Sequence, residues 1–150
     1  MRNQDIVIRP FIGAADTEKL SDIWFDASMK AHPFIGESRL VEQRKLIEDE
    51  YLPKSETWVA CCAGETTGFI SLLDSFIGGI FIAPAWQGRG IGGKLIAHAL
   101  TLKGELSLEV YTANEQAVCF YRALGFTEVS RRDVDDFGYP YPNTTLQLKR

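Results

Sequence analysis

The chain has 150 residues, 45% of them hydrophobic and 24% charged, with a formal charge of -4. That length suits one domain with its own core, and the balance is that of an ordinary soluble globular protein. The acidic sign argues against nucleic-acid or anionic-membrane partners and mildly favours a cationic one, no apolar run approaches membrane-spanning length, and MRNQDIVIRP lacks the apolar region of a secretion signal.

IVIR at 6–9 reads as a first strand, followed by a helix on which Leu20, Ile23, Trp24 and Ala27 share one face and which is capped near Asp16. AHPFIGE breaks that helix, and a second, less clearly patterned one runs from Ser38 to Tyr51, stopping before Pro53. TWVACCA (57–63), GETTG as turn and FISLLD (69–74) read as a hairpin. FIGGIFIAP (76–84) is apolar enough to be a central strand, and a glycine-rich loop follows it. Ile91, Leu95, Ala99 and Leu102 form the core stripe of the next helix. LSLEV (106–110) is a strand; Ala117, Phe120, Tyr121 and Leu124 mark a helix ended by Gly125; TEVSRR and TTLQLK close the chain around the acidic, aromatic loop DVDDFGYPYPN. The order βααβββαβαββ is that of a single α/β domain over residues 1–150, with a mostly antiparallel first half.

Cys61, Cys62 and Cys119 are odd in number and lack metal-ligand spacing, so reduced thiols in a cytoplasmic protein without a metal are expected. Cys61 and Cys62 are adjacent in a strand and point to opposite faces as small buried residues; Cys119 is expected in the core.

The stretch PAWQGRGIGGKLIAHAL (84–100) satisfies several phosphate-cradle patterns. Gly88 to Lys94 matches G-x-x-x-x-G-K, yet Leu95 stands where a P-loop needs Ser or Thr for magnesium. Gly88, Gly90 and Gly93 match the dinucleotide pattern G-x-G-x-x-G, and Glu109 lies roughly 20 residues on, as a ribose-binding acid would. A hairpin meander precedes that loop, however, and too little chain follows for a second mononucleotide-binding half.

Gln87, Gly90 and Gly92 also fit Q-x-x-G-x-G, and residues 76–126 resemble the GNAT superfamily, the GCN5-related N-acetyltransferases. Strand GGIFIAP, loop WQGRGIGG and helix KLIAHAL look like its pyrophosphate-binding motif; LEVY, Asn114, Ala117, Phe120-Tyr121 and Gly125-Phe126 look like the motif after it. LEVYTANEQAVCFYRALGF is particularly similar to bacterial protein N-acetyltransferases, including those acting on ribosomal-protein N-termini. The resemblance implies acetyl-CoA as co-substrate. Its pyrophosphate would lie on backbone N–H groups at a helix N-terminus, whose partial positive charge favours an anion. Ile80, Phe81, Ile82, Gln87, Gly88, Arg89, Gly90, Ile91, Gly92, Gly93, Asn114, Ala117 and Phe120 are the implied cofactor-binding residues, with an oxyanion donor among the backbone N–H groups near Ile80 or Phe81. Gly78 and Gly79 would let a ligand approach the strand closely.

Moving an acetyl group from a thioester to an amine needs a base for the amine, a donor for the oxyanion and an acid for the thiolate. The resemblance places Tyr121 at the acid position, and an ordinary phenol is protonated at neutral pH. Glu109 matches the glutamate that deprotonates the amine through water, with His32 as the other candidate base. His32, Phe76 and Tyr139 are expected around the acceptor, and the carboxylates Asp133, Asp135 and Asp136 would attract a protonated amine. The resulting expectation is direct attack on acetyl-CoA in a ternary complex, by a monomer or homodimer, with a protein lysine or N-terminus among the acceptors. A non-catalytic CoA-binding sensor is the alternative.

Overall fold

Near-continuous apolar runs such as FISLL and FIGGIFI build a sheet whose middle is covered on both faces. The computed structural model describes residues 6–31, 35–135 and 138–150. Its strands are β1 (Ile6–Pro10), β2 (Glu56–Cys62), β3 (Glu65–Leu73), β4 (Phe76–Ile82), β5 (Glu105–Tyr111), β6 (Thr127–Arg132) and β7 (Asn143–Lys149). They form one seven-stranded sheet in the order β1-β2-β3-β4-β5-β7-β6. Every pairing is antiparallel except β4 with β5, where α4 (Ile91–Lys103) makes the crossover that a parallel pair requires. The strands and main helices follow the order expected from sequence, and FIGGIFI is the central strand of the seven.

Two apolar clusters lie on opposite faces of this sheet. On one, α4 and α5 (Glu115–Ala123) pack Ile91, Leu95, Ile96, Ala99 and Tyr121 against Leu106, Leu108 and Val110 of β5. On the other, α1 (Gly13–Ala31) and α2 (Glu37–Leu46) pack Leu20, Ile23, Trp24 and Leu40 against Val59 and Phe69. Leu95 is fully buried, so the position after Lys94 belongs to the core and cannot serve a P-loop metal. Leu102 is 48% exposed, and Ile96 takes the place expected for it, because the buried stripe of α4 lies one position round the helix.

The start of α1 is pinned by charge. Asp16 is buried in the first turn, accepts the Ile12 N–H at 2.7 Å and holds both Arg9 nitrogens at 2.7 and 2.8 Å. The Arg9 guanidinium keeps the Asp16 carboxyl below its ordinary range against the opposing effect of burial.

Other boundaries differ from expectation. The second helical segment does not stop before Pro53: α2 passes into a π-helical turn, Ile47–Tyr51, and a last turn, α3 (Leu52–Lys54). Leu52 donates to Ile47 O, and Pro53 stands in the first turn of α3, where its missing N–H costs least. GETTG is mostly strand rather than turn. The β2–β3 hairpin turns on Ala63 and Gly64 alone, at φ 52° and 82°, the primed geometry of a two-residue loop. Cys61 and Cys62 do face opposite clusters, Cys62 buried and Cys61 half-buried. Cys119 is exposed rather than in the core, because α5 turns Tyr121 inward and Cys119 outward. Among the described residues, no helix is long and apolar enough to cross a membrane.

Candidate active site

The functional geometry starts where the central sheet splits. β4 and β5 pair only at Phe76↔Ser107 and Ile77↔Leu108. One residue later the β3–β4 register slips: Leu72 faces Ile77 and Ser71 faces Gly79, leaving Gly78 as an unpaired bulge. Beyond it β4 stays with β3 and diverges from β5. Ala83 donates to Thr67 O at 2.8 Å on β3. Because N–H groups alternate sides along a strand, Phe81 also faces β3, while Ile80 and Ile82 turn theirs toward the gap. Of the two expected donors near the gap, Ile80 is therefore the one that geometry allows; Phe81 is committed to β3.

A cavity of about 540 Å³ occupies this gap. Trp24, Leu40 and Phe69 line it from one face of the sheet, Ile91, Leu108 and Tyr121 from the other, and Gly78 to Ile82 run between them. Its size is that of a small-molecule or cofactor site.

At one end the glycine loop forms a cradle. Gln87, Gly88, Gly90, Ile91, Gly92 and Gly93 all line the cavity. Gly88 and Gly90 have φ of 78° and 84°, which side-chain-bearing residues rarely adopt, and a Cβ on either would point into open space. Gly90 caps α4 without any side-chain hydrogen bond, so the first-turn N–H groups have no side-chain cap and face the cavity end. Gln87 is fixed from both sides: its Nε2 donates to Ile82 O at 3.0 Å and its Oε1 accepts from Lys30 at 2.8 Å. A Cβ at Gly92 would come within 3.0 Å of the Phe120 ring, so this glycine is what lets α4 and α5 approach.

Tyr121 is 8% exposed, packed edge-on against Phe120 and Phe126 at 5.2 and 5.5 Å. Its side chain nevertheless lines the cavity. Burial pushes the phenol well above its ordinary value, so it holds its proton at neutral pH. Glu109 reaches the same cavity from the opposite face, since it alternates along β5 with the buried Leu108 and Val110. Its two carboxylate oxygens lie 3.0 and 2.9 Å from Arg132 Nη2 on β6. Asn114 caps α5, its side chain accepting from Ala117 N at 3.2 Å, and both residues line the cavity with Phe120.

Other expected site residues are not brought there. Arg89 does not line the cavity; its guanidinium sits over the Trp86 ring, 4.9 Å from the centroid, a cation–π stack that holds it on the exposed side of the loop. Phe76 stands at the closed end of the gap, where β4 still pairs with β5, outside the lining. Tyr139 is likewise outside it, covered by the Arg39 guanidinium at 4.0 Å. Asp135 is not a free carboxylate for an amine: it is buried and accepts from Tyr111 Oη at 2.9 Å and Tyr139 N at 3.0 Å, pinning its own loop. His32 and Asp136 lie outside the described residues.

Sequence reasoning missed the wall opposite the cradle, formed by Trp24, Ser28, Gln43, Ile47 and Tyr51 of the first helical segments. One signal was available. Gln43 is a polar residue on the buried face that Leu40 and Ile47 define, at i, i+3 and i+7.

A family profile described as an acetyltransferase (GNAT) domain matches residues 53–128. The chain is 40% identical over 130 residues to the peptidyl-lysine N-acetyltransferase YjaB of Salmonella typhimurium, covering 86% of this chain and 89% of that one. It superposes on the apo-form YjaB of Escherichia coli with a TM-score of 0.86 at 35% identity, covering 95% of this chain and 96% of that one. At 21% identity and a TM-score of 0.69, over 97% and 94% of the two chains, it also shares the fold of the Salmonella typhimurium protein yncA, solved with acetyl-CoA.

Proposed function

The chain belongs to the GNAT acetyltransferase family, and from that premise we propose that it transfers the acetyl group of acetyl-CoA directly to the side-chain amine of a protein lysine, in a ternary complex in the cytoplasm. One observation carries the direct-attack reading: Tyr121 and Glu109 line a single cavity from opposite faces of the split sheet. A proton acceptor and a proton donor thus flank one gap, so one can take the amine's proton while the other meets the departing sulfur.

The residues present fit the coenzyme. Uncapped N–H groups at the start of α4 suit the pyrophosphate, with the helix dipole adding to the attraction, and Gly88 and Gly90 keep side chains out of its way. The pantetheine arm would lie along β4 in the place a strand would occupy, with Asn114, Ala117 and Phe120 covering it from α5. The Ile80 N–H, turned toward the gap, would meet the charge that develops on a thioester oxygen there, a preorganised donor that needs no reorientation. Glu109 removes the amine's proton through water; held against Arg132, its carboxylate has a fixed orientation. Tyr121 donates to the departing sulfur. A phenol is already a weaker acid than an ordinary thiol and burial weakens it further, so its main contribution is a hydrogen bond that strengthens as charge builds on sulfur. Nothing in this sequence of events needs an acyl-enzyme. The lysine acceptor rests on the names of the relatives, peptidyl-lysine N-acetyltransferases.

Binding is testable apart from turnover. Acetyl-CoA should raise the melting temperature through mass action, whereas ATP and NAD at the same concentration should not. Gly90→Val should strain the loop by roughly 1–2 kcal/mol, because φ of 84° is left-handed, and weaken acetyl-CoA binding about 10-fold or more while the domain remains folded. An unaltered affinity in this variant, or equal protection by ATP, would mean that the loop holds something else.

A further inference from the structure

Opposite the cradle, the cavity wall is mostly apolar, built from Trp24, Leu40, Ile47 and Phe69, and a single amide stands among them beside the hydroxyls of Ser28 and Tyr51. Gln43 is 8% exposed, and its Nε2 has no hydrogen-bond partner among the described residues. Buried donors of this kind are rare, since each forfeits the water it gave up without replacement. Packing does not explain it either: Leu40 and Ile47 share its helix face, and an apolar side chain there would cost nothing in hydrogen bonds. The amide is left for a partner that the protein does not supply.

The rest of the lining narrows what that partner is. Glu109 is the one charged side chain among the described residues that line the cavity. A polyamine would bring several cations to a single carboxylate. A free amino acid would bury its carboxylate against an apolar wall with no cation to meet it. An amine on an apolar arm, attached to a group with an uncharged carbonyl, matches both the wall and the amide. Nε2 is itself buried, and a turn about the last torsion of the glutamine is what would bring its NH₂ to the cavity.

We propose that Gln43 is a specificity-determining residue, donating from Nε2 to an uncharged carbonyl oxygen of the acceptor. It selects lysine whose α-amine and carboxyl are tied into amides over free amino acids and polyamines. This rests on the N-acetyltransferase reading above and names the acceptor chemistry of that same site.

The test compares four amines, Nα-acetyl-lysine-N-methylamide, free lysine, spermidine and pentylamine, in the wild type, Gln43→Met and, as a second variant, Gln43→Leu. In the wild type the diamide should have the highest kcat/KM. In both variants its advantage over pentylamine should shrink by about 3- to 10-fold, the worth of one neutral hydrogen bond. That loss should fall in KM with kcat held, since the contact is made equally in ground and transition states. An undiminished advantage in either folded variant overturns the role of Gln43 and leaves the transferase reading standing. Faster wild-type acetylation of spermidine or free lysine overturns the assigned acceptor chemistry. No acetylation of any of the four by a wild type that binds acetyl-CoA overturns both.

Discussion

Tyr121→Phe is expected to fold, to bind acetyl-CoA and to lose roughly 100- to 10,000-fold of its turnover, the usual worth of a positioned proton donor. The substitution removes one oxygen and keeps the ring that packs against Phe120 and Phe126, so the aromatic contacts of the α5 face survive. A core residue alone would therefore yield a nearly normal enzyme. The expected loss corresponds to about 2.7 to 5.4 kcal/mol on the barrier, far more than a slight repacking supplies. Thiolate is a comparatively good leaving group and the buried phenol is a weak acid, so the loss should fall toward the lower end. Measuring kcat and acetyl-CoA affinity on the same preparation decides it: normal turnover in a well-folded variant removes Tyr121 from the chemistry.

Glu109→Gln keeps the size of the side chain and can still accept from Arg132, but it cannot take a proton. Arg132 is 41% exposed at its side chain, so losing the ion pair should cost no more than about 1 kcal/mol of stability. Turnover at neutral pH should fall about 100-fold. It should recover in part as pH approaches the lysine range, about 10.4, because the amine then loses its proton in solution and no longer needs the base. The pH–rate profiles of wild type and variant should thus converge at high pH. Profiles that stay parallel, or rates that do not differ, pass the role to His32 or to water.

Much of this fold could be read from local pattern. Period-two alternation in LSLEV and the apolar density of FIGGIFI marked a strand and a central strand, and both stand as read. The glycine spacing after β4 located the cradle, because a positive φ at Gly88 and Gly90 is a local demand that only local sequence can meet. What escaped was set by long-range pairing. The bulge at Gly78 depends on how β3 registers against β4, and GG in a strand says only that something unusual occurs. The resemblance put Arg89 among the cofactor-binding residues, yet its guanidinium stacks on the Trp86 ring three residues earlier. The Arg132 partner of Glu109 comes from a strand that is not adjacent to β5 in the sheet, and no sequence spacing predicts that meeting. Gln43 was legible in principle, as a polar interruption of an apolar stripe, but the weak patterning of that helix hid the stripe itself.

The central claim is direct transfer from acetyl-CoA to an amine, and thiol release followed with and without a lysyl peptide tests it in one assay, with the intact mass of the enzyme read at the same time. Free CoA should appear only when the peptide is present, the peptide should gain one acetyl group for each CoA released, and the enzyme's mass should not change. Release without peptide, accompanied by an acetyl group on the enzyme, would contradict the account and point to a covalent relay.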